Sequence, residues 1–268
     1  MIQLLKDKLK DVRDTETKIN LAREFLQLLI LKILADRLAF KHLAFVGGTA
    51  LRILYDLRRF SEDLDFSLLD KQGYDFDKLM GGVLTDIHQS QLPVEARTKT
   101  TKLVHSAMLK FKGILWELKL SGFKEESLSV KVEVDTNPPV GAKDSAQLVV
   151  KDFAFSVRHL DLPSMFATKL HACFYRKYVK GRDFYDLVWY IGRRVEPNLT
   201  LLNEAVKQTE GVDPKITREN LKSYISSQLT RIDFTKVKKD VERFLVDKSE
   251  LKLLDKELII SSVDAYRD

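Results

Sequence analysis

The chain has few of the residues that cross-links and metal clusters require. Its 268 residues include one cysteine, Cys173, so internal disulfides and cysteine-rich metal sites are excluded. The five histidines are scattered, and no Ser/His/Asp or zinc-binding constellation is visible among them. Internal repeats and low-complexity tracts are also missing from the sequence. This cysteine usage fits a reducing compartment, and a cytoplasmic protein is the expectation.

Long uncharged apolar runs are missing as well. The most apolar stretch, residues 25–40, is interrupted by an amide and several charged side chains. Such an interrupted stretch is typical of a core-facing helix and not of a membrane span. The first residues do not have the layout of a signal peptide. We therefore expect no membrane partner.

The charge balance is basic. Lysine and arginine number 45 against 39 acidic residues, which gives a net charge of +6 at pH 7. This excess favours a polyanionic partner without identifying one. Basic residues cluster at 176–194 and 236–239. Such clusters are usually a solvated helix face, and the alternative is contact with a nucleic-acid backbone.

One early segment, VGGTALRILYDLRRFSEDLDFSL, combines a glycine turn with two aspartates. Gly47 and Gly48 let the backbone approach a phosphate closely. The helical pattern from Thr49 onward offers free N–H groups and a positive dipole end to the same phosphate. Asp63 and Asp65 lie one residue apart on a predicted strand. Their carboxylates therefore project from one face, with Cα atoms about 6–7 Å apart.

Two carboxylates at this spacing repel each other, and a bound cation would remove that repulsion. Mg²⁺ prefers oxygen ligands and usually binds through one or two carboxylates plus substrate phosphates. The segment is not a Walker loop or a dinucleotide fingerprint, because it lacks the Gly-Lys-Ser/Thr and the third glycine. The structural alternative for the aspartates is a solvated strand edge.

The glycine turn and spaced Asp-x-Asp resemble the nucleotidyltransferase fold of the DNA polymerase beta superfamily. The motifs GGTAL and RFSEDLDFSL resemble those of the AbiEii/AbiGii toxin family of nucleotidyltransferases. With further motifs described below, this resemblance covers roughly residues 43–192. It implies an α+β fold in which flanking helices cover a mixed sheet, followed by a C-terminal helical lobe.

Periodicity divides the chain in a compatible way. Strand patterns are predicted at 42–46, 63–68, 94–98, 103–111, 129–135 and 148–150. Helical patterns are predicted over the first forty residues and at 50–56, 76–88, 164–178, 183–194, 201–209, 214–228, 233–246 and 251–266. We predict a catalytic lobe at 1–155 and a helical lobe at 156–268, joined near 151–162, with substrate bound between them.

The resemblance also implies a third acidic residue on a later strand, because two-metal phosphoryl chemistry needs more anionic ligands. Glu133, between Val132 and Val134, has the expected apolar-acid-apolar setting and is our choice. Asp135 shares its strand face and is the competitor. Alternatively, Lys131 and Glu133 both face solvent on an edge strand.

A later helix resembles the family's lysine-bearing helix. Lys169 and Arg176 are seven residues apart, so both lie on one helix face about 10 Å apart along the axis. That spacing could span two phosphates of a nucleoside triphosphate. The surroundings of Lys169 are apolar, so an anionic partner is expected, either phosphate or an ordinary ion pair. Arg182, just beyond, is a further candidate phosphate contact.

Asp183 and Asp186 open the next helix in an Arg-Asp-x-x-Asp pattern that resembles the family's. Asp183 has two structural alternatives, a helix cap or an ion pair with Arg182 or Arg176. Each suits this residue at least as well as a direct part in the chemistry. For Asp186 two roles stay open. It either orients Lys169, as part of the catalytic set, or forms a structural ion pair.

Two residues in the loop before the aspartates complete the candidate site. Arg59 is a candidate triphosphate contact, and the alternative is a solvated arginine. Ser61 either donates a hydrogen bond to a phosphate or shapes the turn. Both rank below the aspartates.

The resemblance implies a Mg²⁺- or Mn²⁺-dependent toxin that transfers a nucleoside monophosphate from a nucleoside triphosphate and releases pyrophosphate. The expected acceptor is RNA, with the 3′ end of tRNA the family analogue, in a toxin–antitoxin or phage-defence system with a cognate antitoxin. The expected metal ligands are Asp63, Asp65 and Glu133. Two alternatives stay open: the same chemistry on a protein hydroxyl or a small molecule, and a catalytically silent module that only binds nucleotide or RNA.

Overall fold

A computed structural model describes residues 1–265. These residues form eleven α-helices, three short 3-10 segments and seven β-strands in one mixed sheet. The predicted α+β class, a mixed sheet with flanking helices, is confirmed. Within the described part of the chain, no helix combines the length and the apolar composition needed to cross a membrane.

The chain divides into two compact units. The sheet unit comprises residues 1–55, 60–137 and 145–159. The helical unit comprises residues 56–59, 138–144 and the described residues from 160 onward. The predicted lobe boundary at 155/156 stays a prediction.

The seven strands pair in the order β3-β4-β5-β2-β1-β7-β6. They are β1 (Leu43–Val46), β2 (Asp63–Leu68), β3 (Glu95–Thr100), β4 (Val104–Lys112), β5 (Ser127–Asp135), β6 (Asp144–Val150) and β7 (Ala154–Leu160). The predicted antiparallel region is present, since β3, β4 and β5 pair antiparallel. Parallel pairing joins β2 to β5 and β1 to β7.

The core of the sheet unit lies on one face of the central strands. Alternate residues of β5 from Leu128 to Val134 are buried, as are Leu64 and Phe66 of β2, while the residues between them are half-buried. The helices of this unit are α1 (Ile2–Leu9), α2 (Thr15–Asp36), α3 (Gly47–Tyr55), α4 (Phe76–Gln89) and α5 (Ile114–Glu117). Because side chains alternate along a strand, the polar residues of β2 and β5 share the opposite face.

The helical unit contains α6 (Leu162–Tyr175), α7 (Gly181–Gly192), α8 (Leu199–Glu210), α9 (Leu221–Leu229), α10 (Phe234–Val241) and α11 (Lys256–Asp264). Asp161 caps α6 by accepting a hydrogen bond from the backbone N–H of Ser164. Pro163 lies in the first turn, where its missing N–H has no intrahelical partner to lose.

Strand β7 is missing from the sequence prediction, which assigns residues 151–162 to a connection. Its partner β1 is more than a hundred residues away along the chain, and Phe45 pairs with His159. His159 is buried, and its ring lies 3.2 Å from the hydroxyl of Ser145. A buried, hydrogen-bonded histidine interrupts the apolar alternation by which a strand is recognised.

The predicted helix at 214–228 is too long, because α9 begins at Leu221. Two asparagine side chains hold the preceding residues 215–217 in a turn. The side-chain amide of Asn203 accepts a hydrogen bond from the backbone N–H of residue 216 and donates one to its C=O. The side-chain amide of Asn220 accepts a hydrogen bond from the N–H of residue 217 and donates one to the C=O of residue 215. These side-chain bonds satisfy backbone groups outside a helix.

The predicted helix at 233–246 is also too long. Helix α10 ends at Val241 and is followed by a 3-10 turn at Glu242–Phe244. Leu245 then forms an isolated antiparallel bridge with Arg59. The helix does not continue because the backbone of Leu245 pairs with that of Arg59, which belongs to the same unit.

The last predicted helix, at 251–266, begins later than predicted. A 3-10 segment occupies Lys248–Leu253, and α11 follows from Lys256. Asp255 caps α11 through the backbone N–H groups of the first turn. The predicted end at Tyr266 lies outside the described residues.

Candidate active site

The glycine turn lies directly against one of the predicted metal ligands. Strand β1 pairs with β2 so that Val46 is opposite Asp65, and Gly47 follows with φ of +80°. A Cβ atom on Gly47 would lie 2.6 Å from Oδ2 of Asp65. Only glycine therefore allows both this backbone conformation and this close approach.

The start of α3 is fixed to the aspartate strand by Thr49. Its hydroxyl donates a hydrogen bond to the backbone carbonyl of Asp63, and its side chain is fully buried. Gly48 is buried beside it. The side chain of Thr49 thus positions Asp63. The predicted contact of Thr49 with a phosphate would therefore come from the backbone N–H in the first helical turn.

The three predicted metal ligands share one face of the sheet. In the parallel pairing of β2 with β5, Asp65 lies opposite Glu133 and Asp63 lies opposite Lys131. Paired Cα atoms on neighbouring strands are about 4.8 Å apart. All four side chains lie on the half-buried face. The alternative of an edge strand is wrong for β5, because it lies between β4 and β2.

Lys131 is a member of this patch that the sequence analysis considered only as a solvent-facing residue. Its Nζ lies 2.7 Å from Oε1 of Glu133, and both side chains are about one-third exposed. The cluster of Asp63, Asp65, Lys131 and Glu133, here called the acidic face, therefore contains three carboxylates and one ammonium group, and Asp135 lies further along the same side of β5. The sequence does indicate that Lys131 lies beside Glu133, because residues two apart on a strand project from the same face.

Asp135 has a different environment from its competitor Glu133. It pairs with Ser67, and its carboxylate accepts a hydrogen bond of 2.9 Å from the backbone N–H of Asn137. Burial raises the pKa of Asp135, and the bond from Asn137 partly opposes this rise. Asp135 thus closes the turn after β5, and this geometry favours Glu133 as the third ligand.

The donor atoms of the acidic face suit a hard cation that is held partly by substrate. Among residues 1–265, no group of three or more His, Cys, Asp or Glu side chains is arranged to hold a metal ion on its own. Mg²⁺ usually takes one or two carboxylates and completes its shell with phosphate oxygens and water. The face thus provides carboxylate oxygens without a preassembled protein cage.

In the helical unit, Arg59 and Asp186 form a buried ion pair. The guanidinium donates through Nε to Oδ1 and through Nη2 to Oδ2, both at 2.6 Å. Arg59 is 2% exposed and Asp186 is fully buried, so the alternative of a solvated arginine is wrong. Such bidentate, charge-assisted bonds are among the strongest in proteins.

Lys169 is held between two carboxylates. Its Nζ lies 2.7 Å from Oδ1 of Asp183 and 2.9 Å from Oδ2 of Asp186. Burial by itself would lower the pKa of Lys169, but the charges of Asp183 and Asp186 raise it above its ordinary value. The ammonium is therefore protonated, and the expected anionic partners within the protein are these two aspartates.

Asp183 also pairs with Arg176, as one of the predicted alternatives states. Nη1 of Arg176 lies 2.6 Å from Oδ2 of Asp183. Burial would raise the pKa of Asp183, but the charges of Lys169 and Arg176 hold it below its ordinary value. The guanidinium of Arg182 lies 4.2 Å from the ring centroid of Phe244.

These pairs form one array of alternating charge with a cationic excess. Its members, in order of contact, are Arg59, Asp186, Lys169, Asp183 and Arg176. The side chain of Arg176, at one end, is 40% exposed, whereas the others are buried. The exposed guanidinium makes this end of the array accessible to a solvent-borne anion.

The loop before β2 is tied to the sheet unit by Ser61. The buried side-chain amide of Gln27 donates a hydrogen bond of 3.0 Å to the backbone carbonyl of Ser61. This bond fixes the path of the chain into Asp63. A phosphate contact by the hydroxyl of Ser61 stays a prediction.

Comparison with known proteins points in one direction. A family model described as nucleotidyl transferase AbiEii toxin, type IV TA system, matches residues 29–266. A crystal structure described as a nucleotidyltransferase from H. pylori is 23% identical, with a TM-score of 0.50, over 92% of this chain and 97% of that chain. JHP933 from Helicobacter pylori is 22% identical, with a TM-score of 0.47, over 92% and 96%. No curated protein matches.

Proposed function

The chain belongs to the AbiEii family of nucleotidyl transferase toxins of toxin–antitoxin systems, and from this premise we propose that it transfers a nucleoside monophosphate from a nucleoside triphosphate to RNA. Pyrophosphate is the leaving group. The observation that carries the proposal is the in-register placement of Asp65 and Glu133, with the turn at Gly47 against Asp65.

The acidic face would hold Mg²⁺ or Mn²⁺ through Asp63, Asp65 and Glu133. A cation bound there neutralises phosphate charge and makes an acceptor hydroxyl more acidic. The protein's own part is to present these oxygens on a sheet whose register sets their spacing. Support comes from the register of β2 and β5, which brings Asp65 opposite Glu133 and Asp63 opposite Lys131 on one face of the sheet.

The phosphates would bind at the turn through Gly47, Gly48 and the N–H groups of the first turn of α3. These N–H groups precede any intrahelical partner and point along the positive end of the helix dipole. The absence of a side chain at Gly47 leaves room for the Asp65 carboxylate. Ser61 is assigned a phosphate contact on the loop that leads into β2.

We propose that the cationic excess of the helical unit binds phosphate. Arg176 would provide the exposed contact, and Arg182 a second one. Lys169 has three N–H donors, of which its two aspartate partners take two, so one is left for a phosphate oxygen. Asp186 and Arg59 would act by holding Lys169 in place.

RNA is the proposed acceptor, with the 3′ end of tRNA as the specific site, and a cognate antitoxin is the proposed partner. The net charge of +6 supports a polyanionic acceptor. The same fold could serve a protein hydroxyl or a small molecule, and a silent binding module would have no use for the carboxylates. The acceptor therefore has to be identified by labelling.

The experiment supplies each of the four nucleoside triphosphates, labelled at the α-phosphate, to the protein with total RNA and with RNA-free lysate. We expect label in RNA, and we expect periodate oxidation of the RNA 3′ ends to abolish it. Label in the protein or small-molecule pool would replace RNA by that acceptor. If Asp65→Ala remains toxic on expression, the silent module is favoured.

A further inference from the structure

The helical unit contains a cavity of about 490 Å³ that no role has yet been given. Its volume lies in the range of small-ligand sites. The walls are mainly apolar and include Val188, Trp189, Leu253, Leu258 and Ile259. A cavity of this size and lining fits a compact, largely apolar group.

One end of the cavity is polar. Glu250 has a side chain only 14% exposed, it accepts a hydrogen bond from the hydroxyl of Tyr185, and its Oε1 lies 2.9 Å from Nη1 of Arg58. A carboxylate acceptor thus lies beside guanidinium donors. The edge of a nucleobase presents N–H donors next to oxygen or nitrogen acceptors, which complements this pair.

The cavity also offers an aromatic wall and exposed positive charge. The ring of Trp189 is half-buried, and the guanidinium of Arg193 lies 4.5 Å from its centroid. Arg58 and Arg193 are both exposed lining residues, as is Asp56. A planar base can stack on the aromatic wall, and its phosphate can lie near the exposed guanidinium of Arg193.

We infer that this cavity binds a nucleobase, with the attached phosphate at Arg193. The inference rests on the proposed function, because it names a base-binding surface of a nucleotidyltransferase. Two sources have this chemistry, a free nucleotide and an unpaired base of RNA. The experiment separates them.

The test uses Trp189 as its own reporter. The chain has two tryptophans, and Trp116 is 46% exposed, so Trp116→Phe leaves Trp189 as the single tryptophan, which is excited selectively above the tyrosine absorption band. The four nucleoside monophosphates are titrated, because they carry base and phosphate but cannot donate in the transfer. We expect a saturable change in fluorescence with monophosphates and none with ribose 5-phosphate.

A second arm titrates a short unpaired RNA oligonucleotide. Binding about tenfold tighter than that of the monophosphates assigns the cavity to RNA, and equal or weaker binding assigns it to free nucleotide. If neither monophosphates nor oligonucleotide give a saturable signal, the inference is overturned.

A variant that fills the cavity checks the location. Gly192 lines the cavity, and a Cβ there would meet no atom within 4 Å, so Gly192→Phe can begin a bulky side chain at the cavity wall. Gly81→Phe is the matched control, since Gly81 is a helical glycine with equally open surroundings. We expect at least about tenfold weaker binding in the first and no change in the second. Unchanged binding in Gly192→Phe would contradict the assignment.

Asp65→Asn in the single-tryptophan protein separates this inference from the proposed function. We expect it to lose transfer and to keep the fluorescence response. A protein that transfers nucleotide but gives no response refutes the cavity assignment alone. A response without transfer in the parent protein refutes the proposed function alone.

Discussion

Glu133 lies directly opposite Asp65 in the parallel pairing of β5 with β2. The two residues are far apart in sequence, and their proximity is set by backbone register and not by flexible side chains. A one-residue slip would move Glu133 to the apolar face. The buried residues Val132 and Val134, on either side of Glu133, hold the register by keeping their own face in the core.

Gly47→Ala tests the close approach at the turn. The alanine Cβ would lie 2.6 Å from Oδ2 of Asp65, so the carboxylate must move. We expect a loss of about 100-fold in transfer rate, because small displacements of reacting groups have effects of that order. A left-handed alanine also costs about 1–2 kcal/mol in stability.

Gly211→Ala is the control for backbone strain. Gly211 has φ of +74°, and a Cβ there meets no atom within 4 Å. The control is expected to lose stability similarly and to keep its transfer rate. Equal losses of activity in the two variants would show that strain, and not the position of Asp65, explains the effect.

Lys131→Met tests the balance of charge on the acidic face. The substitution removes the ammonium 2.7 Å from Glu133. We expect Mn²⁺ to bind about tenfold more tightly in the absence of nucleotide, because one repulsive charge is lost at short range. Electron paramagnetic resonance of free Mn²⁺ measures the affinity. Lys78→Met, on exposed α4, serves as control, and an identical affinity in both variants would count against the proposed cation site.

Arg59→Met tests the buried ion pair. Asp186 would keep its buried charge with Lys169 as its remaining partner, so we expect a loss of about 3 kcal/mol in the free energy of unfolding, the low end of the range for a broken buried pair. Urea unfolding measures the loss. The matched control is Arg218→Met, whose pair with Glu196 is more than half exposed and contributes about 0–1 kcal/mol. Equal losses in the two variants would show that burial of the first pair has no energetic consequence.

The lowered pKa of Asp183 makes the free energy of unfolding depend on pH in acid. Its carboxyl has a pKa held below the ordinary value of 3.8, so its contribution is complete above that value and is lost as pH falls through the folded-state pKa. We expect the free energy of unfolding to decrease as the pH falls below about 5 and on through the folded-state pKa, and to decrease less steeply in Asp183→Asn. Parallel curves for the two proteins would contradict the shift.

The elements around the motifs could be predicted from the sequence because their signals are local. Strand β2 has the predicted bounds 63–68, and α6 begins at Leu162, two residues before its predicted start at 164. Asp63, Asp65 and Glu133 share a sheet face because the period of a strand is visible in the sequence. The order of the strands was not predicted, so the interior position of β5 came only from the structure.

The contacts that escaped prediction depend on distant residues. Arg59 and Asp186 are 127 residues apart, and nothing local to either one signals the other. Helix α9 is shorter than predicted because Asn203 lies in a separate helix, α8, and bonds the turn before α9. Such tertiary hydrogen bonds override the helical pattern of the segment itself.

The most direct test of the account is the rate of transfer from α-labelled nucleoside triphosphate to RNA by three variants of the acidic face. Asp65→Asn and Glu133→Gln keep the shape of each side chain and remove its charge, and Asp135→Asn does the same two residues further along the strand. We predict that the transfer rate falls about 100-fold or more in the first two variants and stays close to wild type in the third. Full activity in Glu133→Gln, or a loss in Asp135→Asn equal to that in Asp65→Asn, would contradict the pairing of Asp65 with Glu133 as the centre of the site.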